Sequence, residues 1–357
     1  MSRSPRARLL VALLAASAVP LSAPSAAVAT TSPAYRIVWD DFQQGFNASG
    51  ENARWAIPSF GTLTPDDGVV TTSRHGLRVD ARGVNARTGA PAFTVTMPQD
   101  PLTGGLDHVK WFATTTHVAS SGFAGFDAVR GRELSCETRM AARTYGTEAH
   151  PFGGLVRDPG TDLRLASVAM NAVDPETGMV FDFFLTNNRI YAFYERGPYL
   201  RAALGDYAGF SFAIPVGRTA PGQEHDLRIG YDRSSGTVRW YVDKREVYRV
   251  HRIGHRIDRK HMMIDYGGVE NLVEPRQLNC GMGMFSVLDG AQPGIPGSGL
   301  VRLANDSSLY FDPVSGHPVQ QVFHDERSLP EHRLFGQGAS FTMRSLVVSS
   351  RPRGTNP

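Results

Sequence analysis

Short apolar runs, each closed by turn residues, dominate this chain, and long stretches of helical periodicity are missing. Runs rich in Val, Ile, Phe, Tyr, Trp and Thr predict strands. The first set covers Tyr35–Phe42, Gly76–Ala81, Ala92–Met97, Trp111–Val118, Leu134–Ala142, Leu163–Ala172, Met179–Leu185 and Arg189–Glu195. The second covers Phe210–Ile214, His225–Tyr231, Thr237–Val242, Glu246–His251, Gly281–Leu288 and Phe341–Ser349. Many short strands among 37 glycines predict an all-β fold, a two-sheet antiparallel β-sandwich or jelly roll. No internal repeat is visible.

The stretch from Gly178 to Arg196 is the most informative. Two aromatic-rich strands flank Asn187-Asn188, a pair that tolerates the positive φ of a tight hairpin turn. Asp182 is a lone carboxylate inside the most apolar part of the first strand. Buried there, it must be paired, hydrogen-bonded or neutral. Alternation sends Tyr194 to one face with Ala192 and Ile190, and Glu195 to the other with Phe193 and Tyr191. Glu195 lies at a strand end beside Gly197-Pro198, where a carboxylate meets a loop. Asp182, Glu195 and Tyr194 are the candidate catalytic residues. Structural pairing of each with an arginine or a backbone amide is the competing expectation.

The N-terminus changes the charge picture. Arg3, Arg6 and Arg8 precede an apolar Leu9–Val19 core and the small residues Ala27-Val28-Ala29. This is a Sec-type secretory signal pattern over residues 1–29, with cleavage after Ala29 and a secreted product. Its three arginines account for the chain's net charge of +3, which leaves 34 Lys+Arg against 34 Asp+Glu. A balanced chain argues against nucleic acid as a partner, and no other stretch is long and apolar enough for a membrane span. Residues 30–350 read as one sandwich domain. Residues 289–338, rich in Pro, Gly, Ser and Asp, form a loop-rich insert, and 351–357 form a disordered tail. Cys136 and Cys280 are the only cysteines. In an exported chain they are expected to form a disulfide, with two buried free thiols as the alternative.

Other residues carry weaker signals. Asp265-Tyr266 precedes Gly267-Gly268, so a carboxylate and a phenol could line a cleft at a strand end, although turn chemistry alone explains the pattern. Arg196 and His150 are candidate ligand-binding residues. Lys244–His261 holds seven Lys and Arg against two acids, a patch suited to an acidic polysaccharide. His251 and His255 have helical spacing, but Gly254 lies between them and no Glu accompanies them, so no metal site is expected. Serine-nucleophile, phosphate-loop and dinucleotide motifs are absent.

Four segments resemble the concanavalin A-like lectin/glucanase superfamily, and within it the family-16 glucanases. They are Trp39-Asp40-Asp41-Phe42 with Trp55, Gly131-Arg132 with Glu137–Met140, Asp226–Val250 with Trp240–Asp243, and Phe341–Ser349. Phe181–Thr186, Tyr194–Arg196, Gly281–Phe285 and Phe335–Gly338 also resemble an uncharacterised family of secreted actinobacterial proteins. The glucanase likeness implies a concave carbohydrate cleft and a structural calcium near Asp40 and Asp41, with no other cofactor. It also implies a Glu-x-Asp-x-x-Glu strand, and here this chain departs: the matching stretch reads Val180-Phe181-Asp182-Phe183-Phe184-Leu185, with both glutamates replaced by apolar residues. Hydrolysis by that pair is therefore not expected.

The resulting expectation is a secreted jelly-roll protein binding a glycan, neutral or acidic, in a concave aromatic cleft. The alternatives are a polysaccharide lyase using Tyr194, His150, Arg196 and Tyr266, a hydrolase in which Glu195 or Asp265 faces Asp182, and an adhesive cell-wall protein.

Overall fold

The computed structural model describes residues 33–352, except 61–62, 86–87, 90 and 101–102. The signal segment and residues 353–357 of the tail lie outside the described residues. The body consists of two large antiparallel sheets, the β-sandwich of a jelly roll. The first is eight-stranded. Across it run Arg245–His251, Thr237–Val242, Glu224–Asp232, Arg132–Tyr145, Gly338–Pro352, Gly76–Ala81 and Val69–Ser73, with Tyr35–Asp40 also paired to Gly338–Pro352. The second is nine-stranded. It runs Met262–Asp265, Phe210–Arg218, Arg189–Arg196, Met179–Leu185, Ser167–Asp174, Gln277–Phe285, Val109–Thr115 and Trp55–Ala56, with Phe126–Asp127 on Gln277–Phe285.

Between the sheets lies one core. Phe181, Phe183, Ile190, Tyr194, Phe212 and Met282 enter it from the second sheet, and Leu227, Ile229, Trp240, Phe341 and Val348 from the first. Cys136 of the first sheet is disulfide-bonded to Cys280 of the second, so the two layers are covalently joined across a sequence separation of 144.

The second sheet is buried on both faces, which explains why Met179–Leu185 reads as a nearly unbroken apolar run. Its outer face carries Ala169, Phe184, Phe193, Ala213 and Phe285. The 289–338 insert packs there through Ala304, Tyr310 and Phe323. The insert has structure of its own: Gly299–Val301 and Phe323–Asp325 pair in parallel, and Pro330–Arg333 is a short helix. Buried Arg164 fastens it, its Nη1 donating to the Ser298 carbonyl at 2.9 Å and its Nη2 to the Leu155 carbonyl at 2.9 Å.

Two local expectations need correction. Ala92–Met97 forms no strand. Side chains hold that segment instead: Lys110 Nζ donates to the Val95 carbonyl at 3.0 Å, and the Met97 amide donates to Asp107 Oδ1 at 2.8 Å. The Asn187-Asn188 hairpin is present, but neither residue takes a positive φ. The Asn187 side chain instead binds both backbone groups of Thr144 in the first sheet, at 2.9 and 3.0 Å. The paired positive φ occurs at Asp243 and Lys244, 50° and 68°, which closes the tight hairpin between Thr237–Val242 and Arg245–His251. Met262–Asp265 and Val69–Ser73 are strands that the apolar pattern did not mark.

Candidate functional site

Neighbouring strands of the second sheet place Asp182 opposite Phe193 and Glu195 opposite Val180. Even-numbered positions of Met179–Leu185 and odd-numbered positions of Arg189–Arg196 therefore point off the same outer face. Both carboxyl groups line one cavity of about 230 Å³. This is below the roughly 300–1,000 Å³ of pockets for drug-sized ligands. Its walls mix aromatic rings with aliphatic side chains such as Val109, Val180, Ile264 and Val287, and Asp174 also belongs to the lining. Phe184 packs edge-on against Phe193 and Phe285 with centroids 4.5 and 5.3 Å apart, and Phe112, Phe60, Tyr199 and Tyr266 are the other rings of the lining.

Asp182 is 3% exposed and makes no ion pair among the described residues. Its Oδ2 accepts from Asn171 Nδ2 at 2.7 Å and its Oδ1 from the Ala172 amide at 3.2 Å. Burial pushes its pKa well up, the two donors oppose that, and the nearby Glu195 charge adds to it. From behind, Trp240 of the first sheet donates its indole N–H to the Asp182 backbone carbonyl at 2.8 Å. The other sheet thus pins the strand that presents this side chain.

Glu195 keeps some accessible surface but is enclosed by protein atoms, and burial raises its pKa to about 7. Ser211 Oγ donates to it at 3.1 Å and partly opposes that rise. Asp289, at the start of the insert, is a further carboxyl group close enough to act on Glu195. Burial raises its pKa to about 7 as well, while Tyr310 donates to its Oδ2 at 2.9 Å. The Tyr199 and Tyr266 phenols lie together beside these acids. A Cβ added to Gly105 would lie 3.0 Å from Tyr199 Oη, 3.7 Å from Asp289 Oδ2 and 3.8 Å from Tyr266 Oη, so these groups converge on one point. Gly197 is needed where it is, because a Cβ there would meet the Tyr199 ring at 2.6 Å. His108 also lines the cavity, and burial lowers its pKa to about 4, so it is neutral at pH 7.

The other sequence candidates sit elsewhere. Tyr194 projects into the inter-sheet core, where its hydroxyl donates to the His255 carbonyl at 3.1 Å and accepts from the Gly254 amide at 2.8 Å. Arg196 is 2% exposed. It lies 3.8 Å over the Tyr207 ring and bonds Thr177 O and Asn271 Oδ1. Asp265 is closed between Arg256 at 3.0 Å and Arg259 at 2.8 Å. His150 stacks on Phe152, away from the cavity. Tyr266 alone of the lyase set reaches the cavity, and no Arg or Lys lines it among the described residues. The Lys244–His261 patch is largely spent on ion pairs: Arg249 with Glu246, Lys260 with Asp258, His255 and Arg256 with Glu270.

Asp40 accepts from the Phe42 amide at 2.8 Å and from Trp55 Nε1 at 2.7 Å, so both its oxygens have protein donors. Among the described residues no cluster of three or more His, Cys, Asp or Glu is arranged to hold a metal ion. A larger groove, about 600 Å³, crosses the outer face of the first sheet between Glu133, Glu137, Arg228 and Arg239. Its two glutamates are taken up by arginines, Glu133 by Arg228 and Arg239, and Glu137 by Arg228. The smaller cavity is the candidate site because its acids have no cation.

Sequence reasoning missed Asn171, Asp289, Tyr199, Tyr310 and His108. Asn171 had the signal that marked Asp182, one polar residue in an apolar strand run.

A family model described as a family of unknown function, DUF6081, matches residues 39–352. The chain belongs to the DUF6081 family. An uncharacterized protein of Acanthamoeba polyphaga mimivirus is 28% identical over 85% of this chain and 86% of its own length. This relative is viral, and the expected likeness to secreted actinobacterial proteins gains no support from it. Among solved structures, the catalytic domain of an endo-1,3-beta-glucanase (laminarinase) from Thermotoga petrophila has a TM-score of 0.38 and 10% identity, covering 90% of this chain and 97% of that one. An endo-1,3-beta-glucanase from Streptomyces sioyaensis has a TM-score of 0.36 and 13% identity, covering 90% and 99%. These are likenesses of general architecture, and no residue of this DUF6081 protein takes a role from them.

Proposed function

We propose that this protein binds a carbohydrate, with one sugar ring seated in the Asp182–Glu195 cavity. The observation that carries this reading is the shared cavity itself: two carboxyl groups on one sheet face, among aromatic rings. Rings such as Phe112, Phe184 and Tyr199 offer flat faces to the C–H side of a sugar, and carboxyl groups fix hydroxyls by hydrogen bonds. The volume suits one ring rather than a long polymer segment. Glu195, whose pKa burial raises to about 7, has the properties of a proton-exchanging group, and burial shifts Asp182 beside it upward as well. Export through the 1–29 leader belongs to the same proposal, and the Cys136–Cys280 disulfide supports an oxidising compartment.

The test incubates the mature protein with a panel of neutral and acidic oligosaccharides. Calorimetry follows binding, and new reducing ends and the ultraviolet absorbance of unsaturated products follow reaction. Binding to at least one member, lost in Asp182→Asn, is the expected result. A panel with no binding and no reaction would sink the proposal.

A further inference from the structure

The cavity offers acceptors without a cation to meet them. Asp182 and Glu195 line it, and Asp289 stands beside it. Asn171, 1% exposed and also in the lining, spends its Nδ2 on Asp182, while its Oδ1 has no hydrogen-bond partner. A buried acceptor left open is destabilising, so such an atom on a cavity wall calls for a donor from outside the chain. The walls carry aromatic rings, Phe112, Phe184 and Tyr199 among them, and the faces of such rings attract cations. The nearest buried lysine, Lys110, is turned away toward Asp107 at 3.5 Å and the Val95 carbonyl at 3.0 Å.

We propose that the ligand of this cavity carries a protonated amine, the chemical class of an amino sugar, held by Asp182, Glu195 and Asn171 Oδ1 within the aromatic walls. An ammonium group has three donors and no acceptor, which complements this set. An acidic sugar would bring a second anion to a site with no basic side chain facing it. The inference rests on the carbohydrate reading above and narrows it.

Isothermal titration at pH 7 compares three oligosaccharides of equal length: a fully deacetylated glucosamine oligomer, its N-acetylated counterpart and a plain β-glucan. The deacetylated sugar should bind at least about tenfold more tightly than the other two. The preference should vanish in Asp182→Asn and, as a second variant that keeps the side-chain size, in Glu195→Gln. Equal binding of all three, or a preference surviving both substitutions, would overturn the amine while leaving the carbohydrate reading intact. If no sugar binds, phenethylamine serves as a non-sugar amine probe. Its binding, lost in Asp182→Asn, would support the amine and remove the carbohydrate, and its failure to bind would remove both.

Discussion

Asp182 and Glu195 lie one diagonal step apart on adjacent strands, and both open into the same cavity on the outer face of the second sheet. Their proximity is felt electrostatically, since the Glu195 charge adds to the upward shift that burial gives the Asp182 carboxyl. Neither has an arginine or lysine to compensate ionisation, so the site carries a cost that depends on pH.

That cost has a definite sign. Glu195 has an ordinary value of 4.5 and is raised to about 7 in the fold. Asp289 is raised from 3.8 to about 7. Between those values the folded protein keeps protons that the unfolded chain has released, so the contribution of these two groups to stability is fullest below their ordinary values and is lost as pH rises to about 7. The groups facing Glu195 are Asp182, Asp289, Tyr199, Tyr266 and neutral His108, and none supplies a positive charge. Glu195→Gln should therefore stabilise the protein by about 1–3 kcal/mol at pH 8 and change it little at pH 4. Urea denaturation at the two pH values measures this. An equal effect at both would show that Glu195 titrates normally.

Tyr194 provides the contrast. Its hydroxyl is buried between the sheets, and both of its bonds go to the 254–255 backbone. Tyr194→Phe should cost about 1–3 kcal/mol by leaving the Gly254 amide and His255 carbonyl open, and should leave ligand affinity unchanged. Thermal denaturation alongside calorimetry checks both halves, and a large loss of affinity at unchanged stability would return Tyr194 to the site.

Asp265 is the second such case. It is 1% exposed and shared by Arg256 and Arg259, and its Oδ1 also accepts from the Gly267 amide at 2.9 Å. Asp265→Ala should cost about 3–5 kcal/mol, because two guanidinium groups and an amide lose the carboxylate they share. Chemical denaturation measures it, and a loss below about 1 kcal/mol would show that these arginines find water instead.

The Cys136–Cys280 bond joins the sheets across 144 residues. In the chain-entropy description, replacing both cysteines with serine should cost about 4–5 kcal/mol. Thiol labelling of the denatured, unreduced protein should find no free thiol. Two reactive thiols there would contradict the bond.

The sandwich was legible because its strands are short, apolar and punctuated. Met179–Leu185 and Thr237–Val242 fall where the pattern put them. Asp182 was legible as a lone acid in an apolar strand, and alternation alone put Glu195 and Tyr194 on opposite faces. That same rule parts Tyr194 from the cavity. The roles of Arg196 and Asp265 were not legible, because their partners Asn271, Arg256 and Arg259 come from loops whose course no periodicity records. Asp289 and Tyr310 reach the cavity region only because the insert folds back over the second sheet, a long-range packing event driven by Ala304, Tyr310 and Phe323.

The most direct test of the account is carbon NMR of the labelled carboxyl groups of Asp182, Glu195 and Asp265, recorded with and without the deacetylated glucosamine oligomer. The account predicts that Asp182 and Glu195 both shift on binding while Asp265, locked between its arginines, does not. A saturable interaction that leaves Asp182 and Glu195 unmoved, or no interaction with any sugar of the panel, would contradict it.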